Sequence, residues 1–195
     1  MNKAPSSSEQ TRTKVTGNKQ MKVKDLVITS MFTAIICILA QISFPTVPIP
    51  FTLALFAIFL TGSLLQPKYA FLSVLTYILL GAFGAPVFAG FEGGFHTLTG
   101  MTGGYLMAYP LMAFITALFC HNRKKGRVIY AAIGMLISLL LCYFLGTLWF
   151  SYVAETNFYY ALSICVFPFV LFDIFKIVLA IFVSSIIRKT LWHLI

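Results

Sequence analysis

Long apolar runs, broken by short polar or glycine- and proline-rich segments, set the pattern of this chain. Such runs predict helices, and six are expected to span a membrane: roughly 25–44, 51–66, 69–84, 104–120, 128–150 and 163–187. Pro45-Thr-Val-Pro48-Ile-Pro50 ends the first as a hairpin. Gln66-Pro67-Lys68 turns the second into the third, and Gly81 and Gly84 close the third. A span needs about 20 apolar residues, so the second and third are short. Residues 1–24 are polar and basic, with Ser6, Ser7 and Ser8, and predict a disordered cytoplasmic tail. That stretch is too long and polar to begin a secretory leader, and no small-x-small cleavage site follows the first run, so the first helix is expected to stay. The expected architecture is an all-α membrane protein. A compact six-helix domain spans 25–187, with a short cytoplasmic tail at 188–195.

Composition agrees with this pattern. Of 195 residues, 59% are hydrophobic and 10% charged, against roughly 25% charged in an ordinary soluble domain. So few charges cannot cover a water-exposed surface, which excludes a soluble domain, a disordered chain and a disulfide-rich module. A net charge of +9 in a soluble protein would suggest nucleic acid. Here it reads as orientation. With the tail inside, cytoplasmic segments hold Lys3, Arg12, Lys14, Lys19, Lys22, Lys24, Lys68, Arg123, Lys124, Lys125, Arg127, Arg188 and Lys189, which is 13 of 14 Lys/Arg. The outer loops 45–50, 85–103 and 151–162 hold none. Both termini are therefore expected in the cytoplasm, and no nucleic-acid partner is expected. Cys37, Cys120, Cys142 and Cys165 lie in apolar surroundings without a Cys-x-x-Cys pair, and His96, His121 and His193 are scattered. No metal site and no disulfide framework is expected.

The one remaining basic residue is Lys176, within the sixth run, three residues after Asp173. At i, i+3 the two share a helix face, about 10 and 13 residues into the expected span. Each such charge at mid-helix costs about 2.5–3.5 kcal/mol, so a polar site facing the bundle interior is the expected reason for keeping them. A mutually neutralised structural pair is the alternative. Pro168 precedes them and is expected to bend the helix or free a carbonyl.

The stretch 84–105 carries seven glycines in 22 residues, mixed with Phe88, Phe91 and Phe95. A loop so apolar is expected to fold back over a cavity at the outer membrane face. Its glycines would bring backbone N–H groups near a ligand, and Thr102-Gly103-Gly104-Tyr105 opens a helix whose free N–H groups attract a carboxylate. Neither G-x-x-x-x-G-K-[ST] nor G-x-G-x-x-G occurs, so no nucleotide site is expected in this chain. On the first helix, Ser30 and Ala34, like Thr33 and Cys37, are four apart and permit close helix approach, internal or to a partner. A catalytic site is not expected: Glu92 and His96 are four apart, but on a glycine-rich loop where helical spacing has no meaning.

Three segments together resemble the BioY family. They are Gly84-Ala-Pro-Val-Phe-Ala-Gly-Phe-Glu-Gly-Gly-Phe, Gly100-Met-Thr-Gly-Gly-Tyr105 and Phe167-Pro-Phe-Val-Leu-Phe-Asp-Ile-Phe-Lys176. Pro48-Ile-Pro-Phe-Thr-Leu53 also fits. Two positions depart from the pattern: Ala54 stands where Gln is expected and Met101 where Pro is expected. The resemblance implies a biotin-specific substrate-binding (S) component of an energy-coupling factor transporter in a bacterial or archaeal cell membrane. It implies partners too: a transmembrane coupling subunit and two cytoplasmic ATPases, which would use the ATP, docking on Ser30-x-x-x-Ala34. The substrate-binding set expected is Asp173, Lys176, Tyr105, Phe91, Phe88, Glu92, Gly93, Gly94, Thr102, Gly103, Gly104 and Thr52. Biotin is the transported substrate and no cofactor is expected. An ion-coupled secondary transporter of a small organic acid or vitamin is the alternative, with the buried Asp as its coupling site.

Overall fold

The computed structural model describes residues 23–46, 49–121 and 126–191. The expected tail 1–22, Pro48, the basic residues 123–125 and the last residues 192–195 lie outside the described residues. Eight helices form in chain order: α1 (Val23–Gln41), α2 (Ala54–Leu64), α3 (Pro67–Ala82), α4 (Phe95–Thr99), α5 (Gly103–Cys120), α6 (Arg127–Val153), α7 (Phe158–Cys165) and α8 (Phe167–Leu191). Two short strands, β1 (Ser43–Phe44) and β2 (Phe51–Thr52), pair antiparallel between α1 and α2. Helices α1, α5, α6 and α8 are long and apolar enough to cross a membrane, while α2 and α3 are shorter apolar helices.

Local chemistry accounts for the boundaries. The first helix stops at Gln41 rather than 44, because Ser43 and Phe44 pair with Thr52 and Phe51 across the proline-rich turn. The second starts at Ala54 rather than 51 for the same reason, and Thr52 Oγ1 accepts the Ala54 N–H at 3.2 Å. Pro67 sits in the first turn of α3, where its missing N–H would be unpaired anyway. The expected sixth span begins at Phe167, not 163, since residues 158–165 form a separate short helix. Pro168 therefore lies in the first turn of α8, directly after the break at Val166, which is the turn where a bend was expected. Asp173 lies six residues after Phe167, about 9 Å along the axis, nearer the helix start than the sequence implied. At the other end, α8 runs on through residues expected in the C-terminal tail, and α1 begins at Val23, within the expected N-terminal one.

The starts of α1, α3 and α6 and the ends of α2, α5 and α8 gather at one end of the bundle. There Tyr69 of α3 donates to Asp25 of α1 at 2.9 Å, and Ser63, Cys120, Arg127 and Arg188 surround one cavity. The described basic residues Lys24, Lys68, Arg127, Arg188 and Lys189 all belong to helix ends on this side. The opposite end carries the hairpin, the 85–102 segment and α7. Helix α5 is central and touches α2, α3 and α6. Its approach to α2 depends on glycine: a Cβ on Gly62 would stand 2.7 Å from Thr116 Cβ and 2.8 Å from the Ala113 carbonyl oxygen. Outward positions are large and apolar, such as Ile38, Leu140, Phe175 and Phe182, each more than 60% exposed. Spread over α1, α6 and α8, such a surface suits hydrocarbon and not water.

Gly62→Val should therefore lower stability by about 1–3 kcal/mol, as overpacking against backbone does. The thermal midpoint in detergent micelles would report it. Ala34→Leu, on the exposed face of α1, should leave that midpoint unchanged.

Candidate functional site

Among the described residues the buried charged side chains are Asp173 and Lys176, near the start of α8. Lys176 Nζ donates to Asp173 Oδ1 at 2.8 Å, and both residues are 3% exposed. Tyr143 of α6 donates its hydroxyl to Asp173 Oδ2 at 2.5 Å, so both carboxylate oxygens are occupied. The ammonium also lies 3.9 Å from the ring centre of Phe51, in β2. That contact is worth about 2 kcal/mol when desolvated. Phe51 is held in turn by Phe169, 6.4 Å away and stacked, and by Phe172, 5.1 Å away edge-on. The pair is thus neutralised, hydrogen-bonded and capped by an aromatic face.

Two cavities adjoin. A small one of about 40 Å³ touches Asp173, Lys176, Tyr143, Tyr105, Cys142 and Cys165. A larger one of about 320 Å³ opens between the hairpin and the 85–102 segment, and reaches Glu92, Thr97, Thr102, Ala54 and Phe88. Ile49, Pro50, Thr52 and Tyr109 line both, so they form the partition between them.

The 85–102 segment folds over the larger cavity as expected, but it is built rather than slack. Gln41, the last residue of α1, donates from Nε2 to the carbonyls of Pro86 and Phe88 at 3.2 and 3.1 Å. Its Oε1 accepts the Phe91 N–H at 3.0 Å, which holds Phe91 at a strained φ of 60°. Phe88 bridges back to Glu92, and its buried ring packs edge-on to Tyr77 at 5.5 Å. Trp149 of α6 donates to the Gly100 carbonyl at 2.9 Å.

The sequence-derived residues divide accordingly. Asp173, Lys176, Tyr105 and Thr52 line the small cavity, while Phe88, Glu92, Thr102 and again Thr52 line the larger. Tyr105 is anchored by its hydroxyl to Thr147 at 3.2 Å. Phe91 stands apart: its side chain is 71% exposed and lines neither cavity. The strained backbone that Gln41 grips turns its ring outward. Gly93, Gly94, Gly103 and Gly104 also line neither. A Cβ on Gly93 would meet the Ala85 carbonyl oxygen at 2.3 Å, and one on Gly104 would meet Trp149 Cβ at 2.3 Å. One on Gly103 would collide with the Leu98 carbonyl. A side chain on any of these three would meet protein, and Gly94 has a φ of 108°. Sequence reasoning missed Tyr143, Tyr109, Phe51 and Gln41. Phe51 stood inside the quoted Pro48–Leu53 segment, but nothing local marked Tyr143 or Tyr109 among many apolar-run aromatics. Ser30 and Ala34 are exposed on α1, whereas Thr33 faces inward and contacts the Ser73 hydroxyl at 3.2 Å.

A bundle of apolar helices with a neutralised, buried ion pair beside a cavity at one end defines a membrane protein with a polar centre in its interior. The chain matches the BioY family over residues 11–192 and belongs to it. It is 41% identical over 172 residues to the biotin transporter BioY of Thermotoga maritima, covering 86% of this chain and 97% of that one. It is 33% identical over 172 residues to the biotin transporter BioY2 of Lactococcus lactis subsp. cremoris, covering 88% and 94%. Its fold superposes with a TM-score of 0.79 on the crystal structure of an S-component for biotin from an ECF-type ABC transporter. That match has 29% identity and covers 89% of this chain and 95% of the other. The relatives are named as transporters, and the chain is a multi-pass membrane protein.

Lys176→Met leaves a carboxylate buried with a single hydroxyl partner and should destabilise by about 3–5 kcal/mol. The double variant Asp173→Leu/Lys176→Met removes both desolvation terms and should recover most of that loss. Tyr143→Phe should cost about 1.5–3 kcal/mol, as loss of a hydrogen bond to a charged group. Thermal unfolding in detergent checks all three. A double variant as unstable as Lys176→Met would mean that the unpaired charge is not the cause.

Proposed function

We propose that this chain captures biotin at the outer face of a prokaryotic cell membrane, as the S component of an energy-coupling factor transporter. The observation that carries the reading is the buried Asp173–Lys176 pair with Tyr143, opening toward a partitioned cavity at the end opposite the basic residues. Biotin's ureido group has a carbonyl flanked by two N–H donors, the complement of an ammonium beside a carboxylate. Lys176 donates to the carbonyl and Asp173 accepts an N–H. The fused rings lie among Phe51, Tyr105 and Tyr109, and the valerate chain extends into the larger cavity toward Thr97 and Thr102. Displacement of the Ile49–Thr52 wall joins the two cavities when the substrate enters. Glu92 at the larger cavity disfavours a second anion close to it, so the carboxylate sits on the threonine side.

Six helices crossing the bilayer with both termini in the cytoplasm fit the alternation of the bundle and the basic end. The sequence has no phosphate-binding loop, so energy enters through a coupling subunit and two ATPases. Their docking surface is the exposed Ser30/Ala34 face of α1, where small side chains allow close helix approach.

Titration of the purified protein with biotin tests capture. Biotin methyl ester should bind nearly as well as biotin. 2-Iminobiotin, which lacks the carbonyl acceptor, should bind at least tenfold more weakly. The opposite ranking would put the carboxylate on Lys176. Ala34→Trp should leave biotin binding intact and abolish energised uptake in cells that contain the coupling module. Loss of both together, or of neither, would remove docking from this face.

A further inference from the structure

At the basic end of the bundle a separate cavity, of about 220 Å³, lies between the C-terminal ends of α2, α5 and α8 and the start of α6. Arg127 and Arg188 both line it, with Ser184 and Ser185. Arg127 donates one N–H to the Cys120 carbonyl at 3.2 Å, which closes the end of α5. Its remaining guanidinium donors are free of any described carboxylate, as are those of Arg188. Among the described residues the one salt bridge is Lys176–Asp173. Two guanidinium groups on one cavity without an acid repel each other, and an anion between them relieves that repulsion. Guanidinium is also the side chain best matched to phosphate oxygens.

The surroundings select the kind of phosphate. The lining also holds the apolar side chains of Val128, Ala131 and Ile181. Beside it Phe182 and Ile186 are 63% and 49% exposed on α8, and Val128 and Ile129 are 55% and 65% exposed on α6. A free phosphate needs only the charged part. A lipid also uses the hydrocarbon-facing flanks, and basic pockets between membrane helices on the cytoplasmic side suit anionic headgroups. We propose that this cavity binds the phosphate of an anionic phospholipid of the cytoplasmic leaflet between Arg127 and Arg188, with the acyl chains along the exposed faces of α6 and α8. The proposal rests on the membrane orientation given above and not on the identity of the captured solute.

The test uses the full chain purified in detergent, with native mass spectrometry and thermal unfolding as readouts. The probes are phosphatidylglycerol, phosphatidylcholine and glycerol 3-phosphate. Phosphatidylglycerol should remain bound and raise the unfolding midpoint, and the other two should do neither. Arg127→Gln/Arg188→Gln should weaken phosphatidylglycerol binding at least tenfold and leave biotin titration unchanged. Should that variant not fold, Ser185→Asp places a carboxylate at the exposed mouth and should expel the lipid. Equal effects of phosphatidylcholine would overturn the proposal. So would equal stabilisation by glycerol 3-phosphate, which makes the site one for free phosphate, or lipid retention in both variants. A wild-type chain that keeps phosphatidylglycerol but binds no biotin would sink the capture reading and sustain this one.

Discussion

Asp173 and Lys176 share one face of α8 and offset each other's charge. A pair this deeply buried still needs its remaining lone pairs and N–H groups occupied. The surrounding structure can be read as the answer to that need. Tyr143 comes from α6 to take the second carboxylate oxygen, and Phe51 comes from the hairpin to cover the ammonium. Three chain segments far apart in sequence are thereby fixed to one point. The start of α8, the late part of α6 and β2 cannot move apart without exposing a charge to hydrocarbon.

That point is also where the hairpin becomes more than a connection. Its residues Ile49, Pro50 and Thr52 stand with Tyr109 between the two cavities. The ion pair lines the small cavity, and the room for an extended chain lies in the larger one. The hairpin's strands are only two residues each, but Phe51 in β2 covers the Lys176 ammonium, so displacing the hairpin uncovers that charge.

How legible this was in the sequence differs by element. The apolar runs predicted α1, α3, α5 and α6 to within a few residues, because lipid-facing helices need little beyond length and hydrophobicity. The ends of α2 and α8 were misplaced where pairing between distant segments decided them: the hairpin trimmed one, and the break after Cys165 trimmed the other. Asp173 and Lys176 were legible because a charge in an apolar run has no cheap explanation. The glycines have a packing reason that the sequence did not show: a Cβ on Gly103 or Gly104 would meet Trp149 or the Leu98 carbonyl. That is a contact across 45 residues or more for Trp149, and no local pattern encodes it. The exposure of Phe91 was not legible either, because its positive φ goes with its N–H bond to Gln41, 50 residues away.

Gln41 has a mechanical consequence. It is the last residue of α1, and its one amide makes three bonds to the segment that roofs the larger cavity. The roof is therefore riveted to the tip of a helix whose opposite flank, at Ser30 and Ala34, faces outward. Through that one amide the cover of the larger cavity and the outward flank of α1 belong to one connected piece.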